Sequence, residues 1–382
     1  MIDKKNKRER KKFSNNLTKV IVITLSWVFI WTLLFLYDYS LMRTLIPENQ
    51  IDEVYNFGYN LIGNVSGGLI GGILGGSLLV FKLSQDYREK SFIYGILNAA
   101  LLFVLVYVGI SLVITMLFSL SIAATEDENI GFGSRIITNT SEMLLNPAFW
   151  VSMSIWALMV SGTQFMLQVN DKFGNGVLWR FLTGEYFHPR EENRIFMFLD
   201  IKSSTSIAEK IGHMKYFQLL SQFYKDITDP IINYSGEIYQ YVGDEVIITW
   251  TERNGTFENN CIQCFFEIQK TIENKKDHYL SAYGFIPGFK AGIHVGESTV
   301  GEIGIMKKDI VYSGDVLNTT ARIQGECNKY GVDILISAEL LSKLGSMDSN
   351  YEIEAKGVYS LKGKENVVGL ISIKEKEEKS NP

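Results

Sequence analysis

Four stretches of this chain carry no charged residue and are each long enough to cross a lipid bilayer. They are residues 20–37, 54–81, 91–125 and 144–170. A hydrocarbon core about 30 Å thick needs about 20 helical residues, so an α-helical membrane bundle over residues 20–170 is the first constraint on the fold. The third stretch exceeds the requirement and is expected to tilt or to extend beyond the lipid. The first is too long for the apolar segment of a signal peptide, and no small-residue cleavage site follows it.

The flanks set the orientation. Residues 1–19 hold Lys4, Lys5, Lys7, Arg8, Arg10, Lys11, Lys12 and Lys19, and the second loop holds Lys82, Arg88 and Lys90. The segments 38–53 and 126–143 carry one arginine each, and their other charges are acidic. Positive charge marks the cytoplasmic side. The basic N-terminus 1–19 and everything after Asp171 are therefore expected in the cytoplasm, in an integral protein of the cell inner membrane. No ionisable residue lies inside a span, which argues against a proton or ion path and hence against a transporter. The second span contains GGLIGGILGG, residues 67–76, with no following lysine to make a phosphate loop. Glycines four apart let another helix approach closely, either within the chain or between two copies of it.

The net charge of −5 leaves no large basic surface, so nucleic acid is not an expected partner. The three cysteines, Cys261, Cys264 and Cys327, form no disulfide framework. Cys261 and Cys264 are spaced as CxxC, but in a helix-like run with no second pair, and read as small core residues. Residues 171–192 form a coupling linker, 193–374 a second domain, and 375–382 a charged tail.

Within the second domain, NRIFMFLD is an apolar run ending in Asp200, and GEIYQYVGDEVIITW holds Asp244 at a Gly-Asp turn. Each acid follows a β-rich run, so both are expected at one edge of a sheet. Two carboxylates held together there suit Mg2+ or Mn2+ shared with substrate phosphates. Ser203, Ser204 and Thr205 lie where strand passes into helix, a position that suits a polyphosphate. Helix capping for Asp200 and a hairpin turn for Asp244 are the alternatives.

The remaining pattern predicts strand 194–200, helices 204–212 and 215–233, strands 237–242 and 245–250, and helix 257–274. Strand 288–295, a strand or hairpin over 299–304 and 309–312, helix 315–329, strand 332–336, a short helix and a β-pair near 351–373 follow. This is an α+β domain, a central sheet with helices on one face. Asn318 and Arg322 are four apart, hence on one face of a predicted helix.

Five blocks in order, FMFLDIKSSTSIAE, GEIYQYVGDEV, GFKAGIHVGESTVGEIG, YSGDVLNTTARIQ and LKGK, resemble the class III nucleotidyl cyclase catalytic domain across residues 193–373. The resemblance implies a ferredoxin-like βαββαβ core and conversion of ATP to 3′,5′-cyclic AMP and pyrophosphate. It also implies two divalent ions, Mg2+ or Mn2+, per site, and a homodimer that shares its sites. Contact through the membrane helices is expected as well. By matching position, Asp200, Asp244 and the Ile201 carbonyl would hold metal. Ser203, Ser204, Thr205 and Lys364 would meet phosphates, and Asn318 and Arg322 would orient the ribose and steady the transition state.

At the positions that match the family's base-reading pair stand Gln240 and Val311. An amide both donates and accepts, whereas valine does neither. Guanylate or dual specificity is therefore the alternative to adenylate activity, with GTP as second substrate and Asp309 or Tyr312 as substitute readers. A non-catalytic nucleotide sensor is a further alternative, against which the matching acids, Asn318, Arg322 and Lys364 speak. A diguanylate cyclase is opposed by its different hairpin sequence.

Overall fold

The computed structural model describes residues 2–46, 55–83, 87, 90–123, 132–173, 177–347, 351–360 and 367–376. The chain divides into two compact units, residues 1–173 and 174–382.

The first unit is helical: α1 Ile2–Leu45, α2 Phe57–Leu78 with a π-helical turn Leu79–Leu83, α3 Phe92–Ala123, α4 Phe132–Leu145 and α5 Pro147–Phe173. Four helical segments are long and apolar enough to cross a membrane: Phe13–Leu45, Phe57–Leu83, Phe92–Leu120 and Pro147–Lys172. Their boundaries differ from the uncharged stretches for local reasons. Asn56 caps α2, its side chain accepting from the Tyr59 N–H. The stretch 144–170 is broken at Asn146, whose side chain accepts from the Ala148 N–H, and Pro147 opens α5 where its missing donor costs nothing. Leu144 and Leu145 thus close α4, a helix that the sequence pattern did not indicate.

The glycine run packs within the chain. A Cβ on Gly72 would stand 2.7 Å from Thr24 Cα, and one on Gly68 would stand 3.0 Å from Val28 Cα. Both neighbours are backbone of α1, so this face of α2 is in near contact with α1 and tolerates no side chain there. Gly71 and Gly75 instead admit the rings of Trp156, Trp27 and Phe103. Large apolar side chains such as Leu97, Leu105 and Leu158 remain exposed, as lipid-facing positions would be.

The second unit opens with a short helix, α6 Val177–Thr183, followed by β1 Arg190–Ile201, α7 Ser204–Ile211 and α8 His213–Asn233. Next come β2 Glu237–Val242, β3 Glu245–Thr251, α9 Glu252–Thr256, α10 Asn260–Asn274 and α11 Lys276–Tyr283. The remainder is β4 Phe289–Ile303, β5 Asp309–Ser313, α12 Asp315–Tyr330, β6 Ile334–Ser337, α13 Ala338–Lys343, β7 Tyr351–Ser360 and β8 Val367–Glu375. The sheet runs β2-β3-β1-β4-β6-β8-β7, with β5 also on β4. Its first four strands and the helices between them make the expected βαββαβ core. Strand β1 lies between β3 and β4, which puts its end at the centre of the sheet.

Several expectations need correction. Helices cover both faces, not one. Ile195, Met197 and Leu199 pack against Leu219, Phe223 and Ile227 of α8 and Ile262, Phe265 and Ile268 of α10. Phe196 and Phe198 point the other way, into a cluster with Ile247, Val300, Tyr312 and Val316 of α12. Glycine makes room for α12, since a Cβ on Gly292 would stand 2.3 Å from the Gln324 backbone nitrogen. The second correction is that β4 is one strand of 15 residues where two were expected. Gly296 does not break it, because the Val316 side chain fills the space above that residue. Helix α11 was also missed, and helix 257–274 begins later because Glu258 and Asn259 take positive φ.

A buried charge cluster fixes the entry to this unit. Arg194 is 1% exposed, yet its guanidinium is paired with Glu192 and Glu237, each at 3.0 Å. Arg180 of α6 grips the same Glu237 with two hydrogen bonds of 2.9 and 3.0 Å. The planar fork of arginine suits such paired contacts.

Candidate active site

Asp200 and Asp244 meet because of strand register. In β1, Asp200 stands opposite Glu245 of β3 and Lys290 of β4. Asp244 precedes Glu245 in the β2–β3 turn, where Gly243 takes φ +64°. The Tyr224 hydroxyl donates to the Gly243 carbonyl at 2.9 Å, which holds that turn on α8. Burial pushes the Asp200 carboxyl up, and the Asp244 carboxyl within hydrogen-bonding reach pushes it further. Glu245 is pushed up to about 7, first by burial and then by the same two acids. Lys290 Nζ lies 3.4 Å from Asp200 Oδ2 and opposes the rise.

This donor set fits a divalent cation. Mutual repulsion between two half-buried carboxylates is what a cation would relieve. Among the described residues no group of three or more His, Cys, Asp or Glu is arranged to hold a metal. Two carboxylates suit an ion that takes its other ligands from water and substrate phosphates. Ile201 closes β1 with its side chain buried, next to Asp200.

The turn from β1 into α7 passes through Ser203 at φ +57°, a left-handed conformation uncommon for a residue with a side chain. Its side chain makes no cap hydrogen bond. Ser203 and Thr205 are exposed, and Ser204 is hydrogen-bonded to Tyr216. Lys364 lies outside the described residues.

Asn318 and Arg322 share the exposed face of α12. Within one chain, the structure brings Asp200 and Asp244 together and leaves this pair facing outward. Gln240 is exposed near the end of β2, and Val311 is half-buried in β5 opposite Gly301. Their neighbours tie the two strands together: the Tyr239 and Tyr312 rings meet edge-on at 5.0 Å, and the Tyr312 N–H donates to Tyr239 Oη at 3.3 Å. The Tyr312 ring is thereby committed to the interior, between Phe196 and the Arg194 guanidinium. Asp309 is paired with Lys307 at 2.9 Å.

Sequence reasoning missed Lys290, Gln324, Tyr224 and Tyr216. Gln324, 7% exposed, donates from Nε2 to Asp200 Oδ2 at 3.0 Å. Its spacing offered a signal: two residues past Arg322 is about 200° around a helix, hence the opposite face.

Residues 188–372 match the family described as adenylate and guanylate cyclase catalytic domain. Adenylate cyclase 2 of Rhizobium meliloti (strain 1021) is 36% identical over 220 residues, which cover 57% of this chain and 60% of that protein. The adenylate cyclase of Anabaena cylindrica is 25% identical over 185 residues, covering 47% of this chain and 36% of that one. The chain thus spans less than two thirds of the length of these relatives. A solved bacterial light-regulated adenylyl cyclase shares the fold, with a TM-score of 0.50 and 17% identity over 60% of this chain and 67% of that chain. With its sheet order, its paired acids and this match over residues 188–372, the chain carries a catalytic domain of the class III nucleotidyl cyclase family.

Proposed function

We propose that the chain is a membrane-anchored adenylate cyclase that converts ATP to 3′,5′-cyclic AMP and pyrophosphate at sites completed by a second copy. The observation that carries this reading is the meeting of Asp200 and Asp244 at the end of β1, beside the open turn at Ser203. Adenylate activity is preferred because relatives that match carry that name.

In the reaction the ribose 3′-hydroxyl attacks the α-phosphorus, its proton is lost, and the bond to the pyrophosphate oxygen breaks. Divalent ions, when bound, lower the pKa of that hydroxyl and neutralise the triphosphate. Asp200, Asp244 and the Ile201 carbonyl would hold them. Ser203, Ser204, Thr205 and the N-terminus of α7 would take phosphate oxygens, since backbone N–H groups there lack helical partners, and Lys364 would add a positive charge. Asn318 of a second copy would orient the ribose, and its Arg322 would meet charge building on the α-phosphoryl oxygens. A fixed guanidinium contributes most in the transition state. In a two-fold dimer each copy then supplies the acids of one site and the Asn/Arg pair of the other.

Base selection falls to Gln240 and Val311 in this reading. The Gln240 amide turns to suit either purine edge, and Val311 offers no hydrogen bond. Membranes holding the protein, incubated with ATP or GTP, are expected to give 3′,5′-cyclic AMP, with less but detectable cyclic GMP, identified by mass. Gln240→Lys with Val311→Asp is expected to raise the ATP-over-GTP ratio of kcat/KM at least about tenfold, because mismatched buried polar groups are strongly rejected. A parent enzyme that already rejects GTP by about ten-thousandfold would assign base reading to another group. Absence of any cyclic product would remove the catalytic reading altogether.

The four apolar helices would anchor the protein in the inner membrane, with residues 1–19 and the cyclase domain on the cytoplasmic side. A reporter fused after residue 171 is expected to score cytoplasmic, and one within 126–143 external, because of the Lys/Arg asymmetry. The opposite scores would invert the topology. Within the second unit, Arg180 of α6 holds Glu237 at the start of β2.

A further inference from the structure

Helix α12 does two things on two faces. Asn318 and Arg322 are exposed on one, and Gln324 is buried on the other, its amide nitrogen 3.0 Å from Asp200 Oδ2. Lys290 Nζ approaches the same oxygen at 3.4 Å from β4. Two contacts on one oxygen fix the rotation of the Asp200 carboxylate. Gln324 has little freedom to follow if Asp200 moves. Its backbone is pressed onto β4 at Gly292, where a Cβ would come within 2.3 Å of its nitrogen.

We propose that Gln324 is a positioning residue that aims the Asp200 carboxylate at the catalytic cations and locks that aim to the helix presenting Asn318 and Arg322. The proposal rests on Asp200 being a metal ligand. Its chemistry is that of an outer partner to a metal-binding carboxylate: a neutral donor holds one oxygen without competing for the ion. A neutral amide suits this place, because an acid would add a further negative charge to the Asp200–Asp244 pair and a second cation would repel the ion. The arrangement also joins the two half-sites of a dimer. The face of α12 that reaches into one site is rigidly tied to the metal acid of the other, so a shift of α12 by a fraction of an ångström is felt at both.

The test is Mn2+ binding by the full chain in detergent, followed by the paramagnetic resonance signal of free Mn2+ in the presence of 3′-deoxy-ATP, which cannot cyclise. Wild type, Asp200→Ala, Gln324→Met and Gln324→Asn are compared. Methionine keeps the size of glutamine without the donor. Gln324→Met is expected to weaken Mn2+ about tenfold or more, the usual loss when such an outer partner is removed. Its thermal unfolding is expected to stay near that of wild type. Gln324→Asn keeps an amide one methylene short and is expected to fall between. In turnover, the half-saturating Mn2+ concentration should rise more than KM for ATP measured at saturating metal. If Asp200→Ala abolishes binding and either folded Gln324 variant binds Mn2+ as wild type does, the positioning role is wrong while the metal site stands. If Asp200→Ala itself leaves binding unchanged, the metal reading of Asp200 falls, and this role for Gln324 with it.

Discussion

Asp200→Ala and Asp244→Ala are each expected to cut turnover at least about a hundredfold, because each removes an anchor for the ions that stabilise transition-state charge. Both variants are expected to remain folded. Burial and the Asp244 charge work against ionised Asp200, so the native state holds that proton more tightly than the unfolded chain does. A raised native pKa gives stability that is fully present below the unfolded value and is lost as pH rises through the native one. Above its native pKa ionised Asp200 therefore works against folding, and deleting either acid relieves a repulsion. The measurement is cyclic nucleotide formation with Mg2+ and with Mn2+, together with a thermal melt. Near-normal activity in either folded variant would place the metals elsewhere.

Much of this site was legible because its residues act locally. Asp200 ends an apolar run of strand character, Asp244 sits at a Gly-Asp turn, and Asn318 and Arg322 share a face by spacing alone. Residues that act through register were not legible. Lys290 faces Asp200 only because β1 pairs antiparallel with β4, a fact that no window around either residue contains. Gln324 reaches Asp200 across 124 residues of chain. The same applies to Arg194, which reads as an ordinary strand-opening charge. It is buried because Glu237 and Tyr312 converge on it from two distant places in the sequence, beside Glu192 of its own strand.

The fold divided along the same line. Short apolar runs placed the strands of the βαββαβ core, of which β1, β3 and β4 are buried on both faces, although β4 reads as two. They did not reveal that α12 covers the face opposite α8 and α10. That depends on Gly292, whose missing side chain lets a helix lie against the sheet. The glycine run in α2 reads as a packing surface, and what occupies it, α1 of the same chain, lies outside any local window. Helix α4 is not legible because the run Thr138, Asn139, Thr140 and Ser141, which also suits a loop, separates its apolar positions.

One chain is expected to hold half of each of two cyclase sites. Asp200→Ala chains and Arg322→Ala chains are each expected to be nearly inactive alone. In a mixed dimer both lesions fall in one site and the other site is intact. Random pairing of equal amounts makes about half of the dimers mixed, each with one intact site of two, so about a quarter of wild-type activity is expected to return. The decisive measurement is cyclic AMP formation by co-expressed, differently tagged chains purified through both tags in succession. Recovered activity in the doubly tagged fraction is the predicted result. An inactive fraction of proven mixed dimers, with each parent still folded, would contradict the account and confine the site to a single chain.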